Sequence, residues 1–186
     1  TIIGNNNVQF RISEEFTNNM YKNNTNNYKN MNNEPFIINN SKTKTETEIP
    51  KIIWQTYNDI DSIPQKVYDN IKKYGEGYQH NIMNDNQCKQ ILAVFGKEYV
   101  NAFDMLKLGC HKADLFRYAC LYLFGGVYMD IKIELLKHLD DIITHKDHFY
   151  TFLCQNGLFN GFIACPPKKD IFISLMKTMV NFSKSN

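Results

Sequence analysis

The sequence predicts an α/β domain with a mainly parallel sheet flanked by helices. From Ile49 onward, short apolar strands alternate with segments of helical spacing, which is the pattern of βαβ units. Glycines and prolines mark many of the boundaries between these segments. At 186 residues the chain is long enough for one domain with a hydrophobic core of its own.

The first half of this domain is predicted to contain two strands and three helices. In chain order a strand, a helix, a strand and two helices are expected over residues 49–57, 64–74, 78–83, 86–95 and 97–108. Pro50 suits the entry of the first strand, because proline is tolerated at the start of a strand. Gly96 and Gly109 suit the ends of the two later helices.

The second half continues the alternation. A central helix, a strand, a helix, two strands and a final helix are expected over residues 110–124, 127–133, 135–144, 149–154, 158–165 and 168–182. The two adjacent strands surround a Gln-Asn-Gly turn.

The N-terminal part has a different composition. Fourteen of the first forty residues are Asn, and apolar residues occur singly. Such a segment buries too little apolar surface to offset the entropy lost on ordering. We therefore expect residues 1–45 to form a poorly ordered leader and residues 46–186 to form the domain.

Composition argues against several classes of protein. A net charge of +2 with scattered basic residues gives no basis for nucleic-acid binding. No stretch approaches the roughly 20 apolar residues of a transmembrane helix. The five cysteines form no CxxC pair, so a zinc site is not expected. A soluble domain is predicted, with the cytoplasm favoured.

The segment from His111 to Glu134 carries the most information. Asp114 and Arg117 are three residues apart and therefore share one face of the central helix. Taken alone, they could form a simple intrahelical ion pair. Gly125 and Gly126 follow, and they can end the helix and let the backbone pass close to a ligand.

The strand predicted after the two glycines alternates strictly. Its apolar residues occupy every second position of 127–134, and Asp130 and Lys132 lie between them. The two charged residues are therefore expected on one face, about 6.6 Å apart along the strand. A half-exposed surface strand would show the same pattern.

This segment resembles the DxD-containing sugar-binding region of the family 32 glycosyltransferases. The shared pattern is Asp, Arg three residues later, an apolar run, Gly-Gly-x-Tyr and Asp-x-Asp, and this chain matches it at Asp114, Arg117, Gly125, Gly126, Tyr128 and Asp130. The strand at residues 49–56 is similar to the family's first strand, and the resemblance extends to about residue 165. It implies a GT-A-like, Rossmann-related domain. The family's domain usually continues further, so this chain is expected to be a fragment or a compact variant.

The resemblance also implies roles for individual residues. Asp114 would accept hydrogen bonds from donor hydroxyls, and Arg117 would neutralise donor charge or bind the sugar. Tyr128 would line the ribose or diphosphate pocket. Asp130 would contact the ribose or the metal-bound diphosphate, which makes Asp130 and Arg117 the expected catalytic pair.

Three further residues are implied as contacts. Trp54 would stack on or lie near the nucleotide base, unless it is an ordinary core aromatic. Asn156 and Asn160 would contact hydroxyls of the sugar or the acceptor, unless they belong to an ordinary Gly/Asn hairpin.

Lys132 departs from the family pattern, because it stands where a second Asp is usual. The family uses Mn²⁺ or Mg²⁺, and an ammonium group cannot coordinate a cation. In one interpretation Lys132 points away, and Asp130 holds the metal with another carboxylate such as Glu134. In the other, Lys132 itself neutralises the departing diphosphate.

The resemblance thus implies an enzyme. It would transfer a hexose from a UDP- or GDP-sugar to a hydroxyl of a glycan or other acceptor, with retention of anomeric configuration. The main alternative is a non-catalytic nucleotide-sugar or carbohydrate-binding module of the same fold, which the lysine at position 132 favours.

Overall fold

The computed structural model describes residues 10–12, 47–154 and 157–185 of the chain, the first three by their backbone only. The strands are β1 Phe10–Ile12, β2 Ile52–Thr56, β3 Gln79–Met83, β4 Gly126–Met129, β5 Ile133–Leu135, β6 Tyr150–Cys154 and β7 Gly157–Cys165. The helices are α1 Gln65–Tyr74, α2 Asp85–Ala93, α3 Lys97–Met105, α4 Gly109–Phe124, α5 Leu139–Ile142 and α6 Ile171–Ser183.

Five of these strands form one sheet in the order β3-β2-β4-β7-β6. The first three are parallel neighbours, whereas β7 runs antiparallel to both β4 and β6. The sheet is therefore mixed. Strands β3, β2 and β4 are parallel, and the antiparallel β6–β7 hairpin extends the sheet beyond β4. The predicted α/β class, with a sheet flanked by helices as in GT-A-like domains, is confirmed.

Helices cover both faces of the sheet and give it two hydrophobic cores. On one face, Trp54 and Tyr128 pack with α2, α3, α4 and α6. On the other face, Ile53, Val127 and Met129 pack against residues of α1, β5 and α5. Because β4 lies in the middle of the sheet, all four of its residues are buried.

The two glycines between α4 and β4 have positive φ angles, 63° at Gly125 and 95° at Gly126. A Cβ at Gly126 would lie 2.6 Å from the carbonyl oxygen of Ile52, and one at Gly125 would lie 2.7 Å from the nitrogen of Pro167. The helix ends here as predicted. The close approach is to neighbouring backbone, so these glycines let β4 enter the sheet.

The prediction of one continuous strand over residues 127–133 is wrong. The strand ends at Met129, and the Ile133 N–H donates to the Asp130 carbonyl at 2.9 Å. This bond closes a turn with Ile131 and Lys132 at its centre. Asp130 and Lys132 therefore do not share the face of a strand.

The structure differs from two other predictions near this turn. The predicted helix over 135–144 is reduced to the four residues of α5, and β5 precedes it. Within the predicted leader, the described residues 10–12 form β1, which pairs antiparallel with β5. The rest of residues 1–45 lies outside the described part of the chain.

No helix in the described ranges combines the length and the apolar character needed to cross a bilayer.

Candidate functional site

Helix α4, the end of β4 and strand β7 meet at one place and bring six polar side chains together. We call this group the polar cluster, and its members are Asp114, Arg117, Tyr118, Tyr128, Asp130 and Asn160. Four of the residues singled out by the family pattern, Asp114, Arg117, Tyr128 and Asp130, are thus neighbours in space.

Arg117 lies at the centre of the polar cluster. Its Nη2 atom is 3.1 Å from Asp114 Oδ1 and 3.3 Å from Asp130 Oδ1. Its Nη1 donates to the backbone carbonyl of Asn160, and its guanidinium lies over the Tyr128 ring at 4.4 Å from the centroid. The side chain is only 3% exposed, so these contacts replace water around the charge.

The two carboxylates reach the surface in front of this buried charge. The side chains of Asp114 and Asp130 are 21% and 22% exposed. Within the described ranges, their side-chain hydrogen bonds and ion pairs all reach Oδ1. The Oδ2 atoms are therefore the ones that can accept hydrogen bonds from a ligand.

Asn160 and Tyr118 complete the side of the cluster next to Asp114. The Asn160 amide nitrogen donates to Asp114 Oδ1 at 3.0 Å and to the Tyr118 hydroxyl at 3.2 Å. Both amide hydrogens are then in use, which directs the accepting atom, Oδ1 of Asn160, elsewhere. Sequence reasoning missed Tyr118, although it lies four residues after Asp114 and hence on the same helix face.

Tyr128 contributes through Asp130 rather than through an exposed ring. Its hydroxyl donates to Asp130 Oδ1 at 3.0 Å, and the residue is 1% exposed. Burial raises the pKa of Tyr128 well above its ordinary value, so the phenol keeps its proton and remains a donor. The structure thus places Tyr128 beneath Asp130, where it offers no surface to a ribose.

Burial and neighbouring charges act in opposite directions on the pKa values of Asp114 and Arg117. Burial raises the pKa of Asp114, and Arg117 lowers it, with a net rise. Burial alone would lower the pKa of Arg117, but Tyr128 and the two carboxylates outweigh it and raise the pKa. Ionised, the two carboxylates and one guanidinium carry a net charge of −1, which suits hydroxyl groups or a cation better than a bare diphosphate.

The Asp130 backbone is fixed against β7. Its N–H donates to the Gly161 carbonyl at 2.8 Å. A Cβ at Gly161 would lie 2.9 Å from Asp130 Oδ2 and 2.6 Å from the Phe159 ring, so the carboxylate occupies space that only glycine leaves open. No sequence pattern indicated this role of Gly161.

Trp54 lies away from any surface. It is 0% exposed, its indole N–H donates to the Gly125 carbonyl at 2.9 Å, and its ring stacks on Phe124 with 5.3 Å between centroids. A ring without exposed area offers no face to a nucleotide base. The structure therefore favours the core-aromatic interpretation of Trp54 over the base-stacking one.

The two remaining predicted contacts are Lys132 and Asn156. Lys132 lies in the turn after Asp130 and lines a small groove beside α1, together with Lys66 and Asn70. It has no hydrogen bond or ion pair to another described residue. Asn156 lies outside the described residues.

The cluster offers few protein ligands for a metal ion. In the described part of the chain, no three or more His, Cys, Asp and Glu side chains come together as a candidate ion site. Asp130 could supply one carboxylate oxygen, and Mg²⁺ is commonly held by one or two carboxylates with phosphate and water oxygens. The donor set thus fits an ion held mainly by a phosphate ligand, and it does not fit an ion held by protein alone.

Part of the chain is similar in sequence to known glycosyltransferases. Residues 65–149 match the model of the glycosyltransferase sugar-binding region containing the DXD motif. An uncharacterized glycosyltransferase of Acanthamoeba polyphaga mimivirus is 30% identical over 139 residues, covering 70% of this chain and 55% of the relative. Glycosyltransferases with this motif typically use a divalent cation.

Two yeast relatives are similar over shorter shares of their length. The initiation-specific alpha-1,6-mannosyltransferase of Schizosaccharomyces pombe is 35% identical over 105 residues, 53% of this chain and 26% of the relative. A mannosyl phosphorylinositol ceramide synthase of Saccharomyces cerevisiae is 26% identical over 142 residues, 73% of this chain and 36% of the relative. The chain therefore spans about half or less of these relatives.

The matched region contains Asp114, Arg117, Tyr128 and Asp130, which the fold assembles into the polar cluster. Residues 65–149 thus carry the DXD-containing sugar-binding region of glycosyltransferases, and the chain is similar to glycosyltransferases of the family 32 type.

Proposed function

We propose that this chain transfers a hexose from a nucleoside-diphosphate sugar to a hydroxyl of a glycan or other acceptor. The observation that carries the proposal is the shared contact of Asp114 and Asp130 with Arg117 Nη2, at 3.1 and 3.3 Å. Their arrangement gives two partly exposed carboxylates a fixed separation and a buried counter-charge. Such a pair is suited to accept hydrogen bonds from several hydroxyls of one sugar ring.

The roles follow from the contacts. Asp114 Oδ2 and Asn160 Oδ1 accept hydrogen bonds from hydroxyls of the donor sugar. Asp130 Oδ2 binds the ribose or a metal ion on the diphosphate. Arg117 supports Asp130 in catalysis, because its charge offsets that of both carboxylates and its contacts hold Oδ1 of each.

The charge that develops on the leaving diphosphate must be neutralised by another group. When bound, Mn²⁺ or Mg²⁺ held by Asp130 would supply that charge as a Lewis acid. The alternative is Lys132, whose ammonium would act directly from the turn that follows Asp130. We favour the metal, since Lys132 lines the groove next to Lys66 and belongs to a different surface feature from the polar cluster.

The hexose and the stereochemistry are finer parts of the same proposal. Several relatives are named as mannosyltransferases, so mannose is the first sugar to test in both its GDP and UDP forms. The resemblance to the family 32 enzymes favours retention of the anomeric configuration. Proton NMR of the first product formed distinguishes the α from the β anomer.

A non-catalytic binding module of the same fold remains the second candidate, and Lys132 favours it. Such a module would keep the sugar contacts of the polar cluster without turnover. Hydrolysis of a UDP- or GDP-sugar in the absence of acceptor separates the two, because a transferase shows slow hydrolysis and a binding module shows none.

The deciding experiment is titration calorimetry of the whole chain against a panel of UDP- and GDP-sugars, with and without Mn²⁺, followed by turnover assays. Asp130→Ala should abolish both donor binding and turnover while the circular dichroism spectrum is unchanged. Asp104→Ala is the matched control, since Asp104 forms a surface pair with Lys89 and should have no effect. Turnover retained in Asp130→Ala would refute the assignment.

A second assay addresses the metal. Activity in EDTA equal to that in Mn²⁺ would eliminate the metal role, and Lys132→Ala should then lower turnover. Lys177→Ala removes an exposed ammonium from α6 and serves as the matched control.

A further inference from the structure

Gln55 is a buried polar residue close to the polar cluster but not part of it. It lies in β2, the neighbour of β4, and is 0% exposed. Burying a primary amide without partners costs on the order of 1–3 kcal/mol by mutational measures. The partners of this amide therefore bear on why it is tolerated in the interior.

Both ends of the amide have partners. Gln55 Nε2 lies 3.5 Å from the Asp130 carbonyl oxygen, at the long end of the hydrogen-bonding range. Gln55 Oε1 lies 2.7 Å from His80 Nε2. The opposite amide orientation would place two oxygens against each other at Asp130, which favours Oε1 as the acceptor and a proton on His80 Nε2.

His80 is suited to hold a single proton. The ring is partly covered between β3 and α1, with the Tyr68 ring at 6.2 Å between centroids. Burial lowers the pKa of His80 to about 4, which keeps the ring neutral at neutral pH. Its one N–H is then fixed by the bond to Gln55.

The far end of this chain of contacts is the backbone of Asp130. The Asp130 N–H is bound by Gly161, and its carbonyl accepts from Ile133 N–H at 2.9 Å. The Gln55 amide reaches the same carbonyl from the neighbouring strand and donates to the second lone pair of the carbonyl oxygen. The point where β4 ends and the turn begins is thus held from three sides.

We infer that Gln55 is a positioning residue for Asp130, and that His80 in its Nε2–H form holds the Gln55 amide in the required orientation. This inference rests on the proposed role of Asp130 at the donor. A displacement of the Asp130 carbonyl moves the carboxylate relative to Asp114, and misplacement by about 1 Å can cost roughly a hundredfold in rate.

The test uses the whole chain, one substitution at Gln55 and two at His80. Gln55→Leu and His80→Phe should lower donor turnover about tenfold to a hundredfold, as changes in supporting shells commonly do. His80→Gln should restore most of the activity, because a glutamine amide can donate from about the position of Nε2. Ile53→Val, two residues earlier in the same strand, is the control for a loss of packing alone.

The turnover of the variants is compared under conditions that give them the same free energy of unfolding. Turnover in Gln55→Leu equal to that in Ile53→Val, or no difference between His80→Gln and His80→Phe, would overturn the inference.

A second measurement does not depend on catalysis. The ¹⁵N shifts of the His80 ring in the unmodified chain should show the Nε2–H tautomer, and an Nδ1–H tautomer would overturn the inference even if turnover is affected. If no nucleotide sugar is bound or turned over at all, the proposed function fails, and the tautomer still decides whether the Gln55–His80 contact exists.

Discussion

Asp114 and Asp130 accept from the same nitrogen, Nη2 of Arg117, although one lies on a helix and the other follows a strand. The two distances are 3.1 and 3.3 Å, and the guanidinium that connects them is almost fully buried. Two partly buried carboxylates so close together would repel each other without it. Arg117 therefore holds the two carboxylates close to each other.

Replacing Arg117 should destabilise the fold as well as the site. Arg117→Gln removes the charge that offsets both acids, and breaking such a buried pair costs about 3–5 kcal/mol. The free energy of unfolding in urea measures this loss. Lys89→Gln is the control, because its surface pair with Asp104 should contribute no more than about 1 kcal/mol. Equal losses in the two variants would contradict the central role of Arg117.

Gly161 should be sensitive to a single methyl group. In Gly161→Ala the new Cβ would meet Asp130 Oδ2 at 2.9 Å and the Phe159 ring at 2.6 Å, so the carboxylate or the ring must move. We expect donor affinity to fall about tenfold and stability to fall by about 1–3 kcal/mol, as measured by calorimetry and urea denaturation.

The control for Gly161→Ala is Gly109→Ala at the start of α4, where a Cβ meets nothing within 4 Å. Alanine there should be neutral or slightly stabilising. Unchanged donor affinity in Gly161→Ala would separate this glycine from the site.

Much of the fold was predictable because local patterns determine it. The apolar run after Arg117 ends at two glycines, and α4 ends where they begin. Spacing alone also placed Asp114 and Arg117 on one helix face. The family pattern then singled out Asp130, which the structure brings within 3.3 Å of Arg117.

The turn after Asp130 was not predictable from the sequence. The alternation of apolar and charged residues there reflects which side chains are buried and not an extended backbone. Ile131 and Ile133 are 8% and 4% exposed, but they pack in different clusters on either side of a turn. Gln55 was also missed, since its partners come from β3 and from the end of β4. Only the strand order brings those residues together.

Trp54 distinguishes a core role from a ligand contact. Trp54→Phe removes the donor to the Gly125 carbonyl and reduces the volume of a fully buried side chain. We expect a loss of about 2 kcal/mol in stability with donor affinity within twofold of the unmodified chain. Thermal or urea unfolding and donor calorimetry check the two parts. A large loss of donor affinity without a loss of stability would restore the base-stacking interpretation.

His80 should make the stability of the domain depend on pH in a defined window. Burial lowers its pKa in the folded chain to about 4, against about 6.5 when unfolded. The unfolded chain therefore takes up a proton first as the pH falls, and stability that is fully present above pH 6.5 is lost towards pH 4. The contribution of this one group is at most about 3 kcal/mol.

Urea denaturation of the unmodified chain and of His80→Gln at several pH values measures this contribution, because the substitution removes the titrating ring and leaves the carboxylates unchanged. The difference in unfolding free energy between the two proteins should shrink or reverse as the pH falls through this window, whereas a constant difference would show that His80 titrates as it does in the unfolded chain.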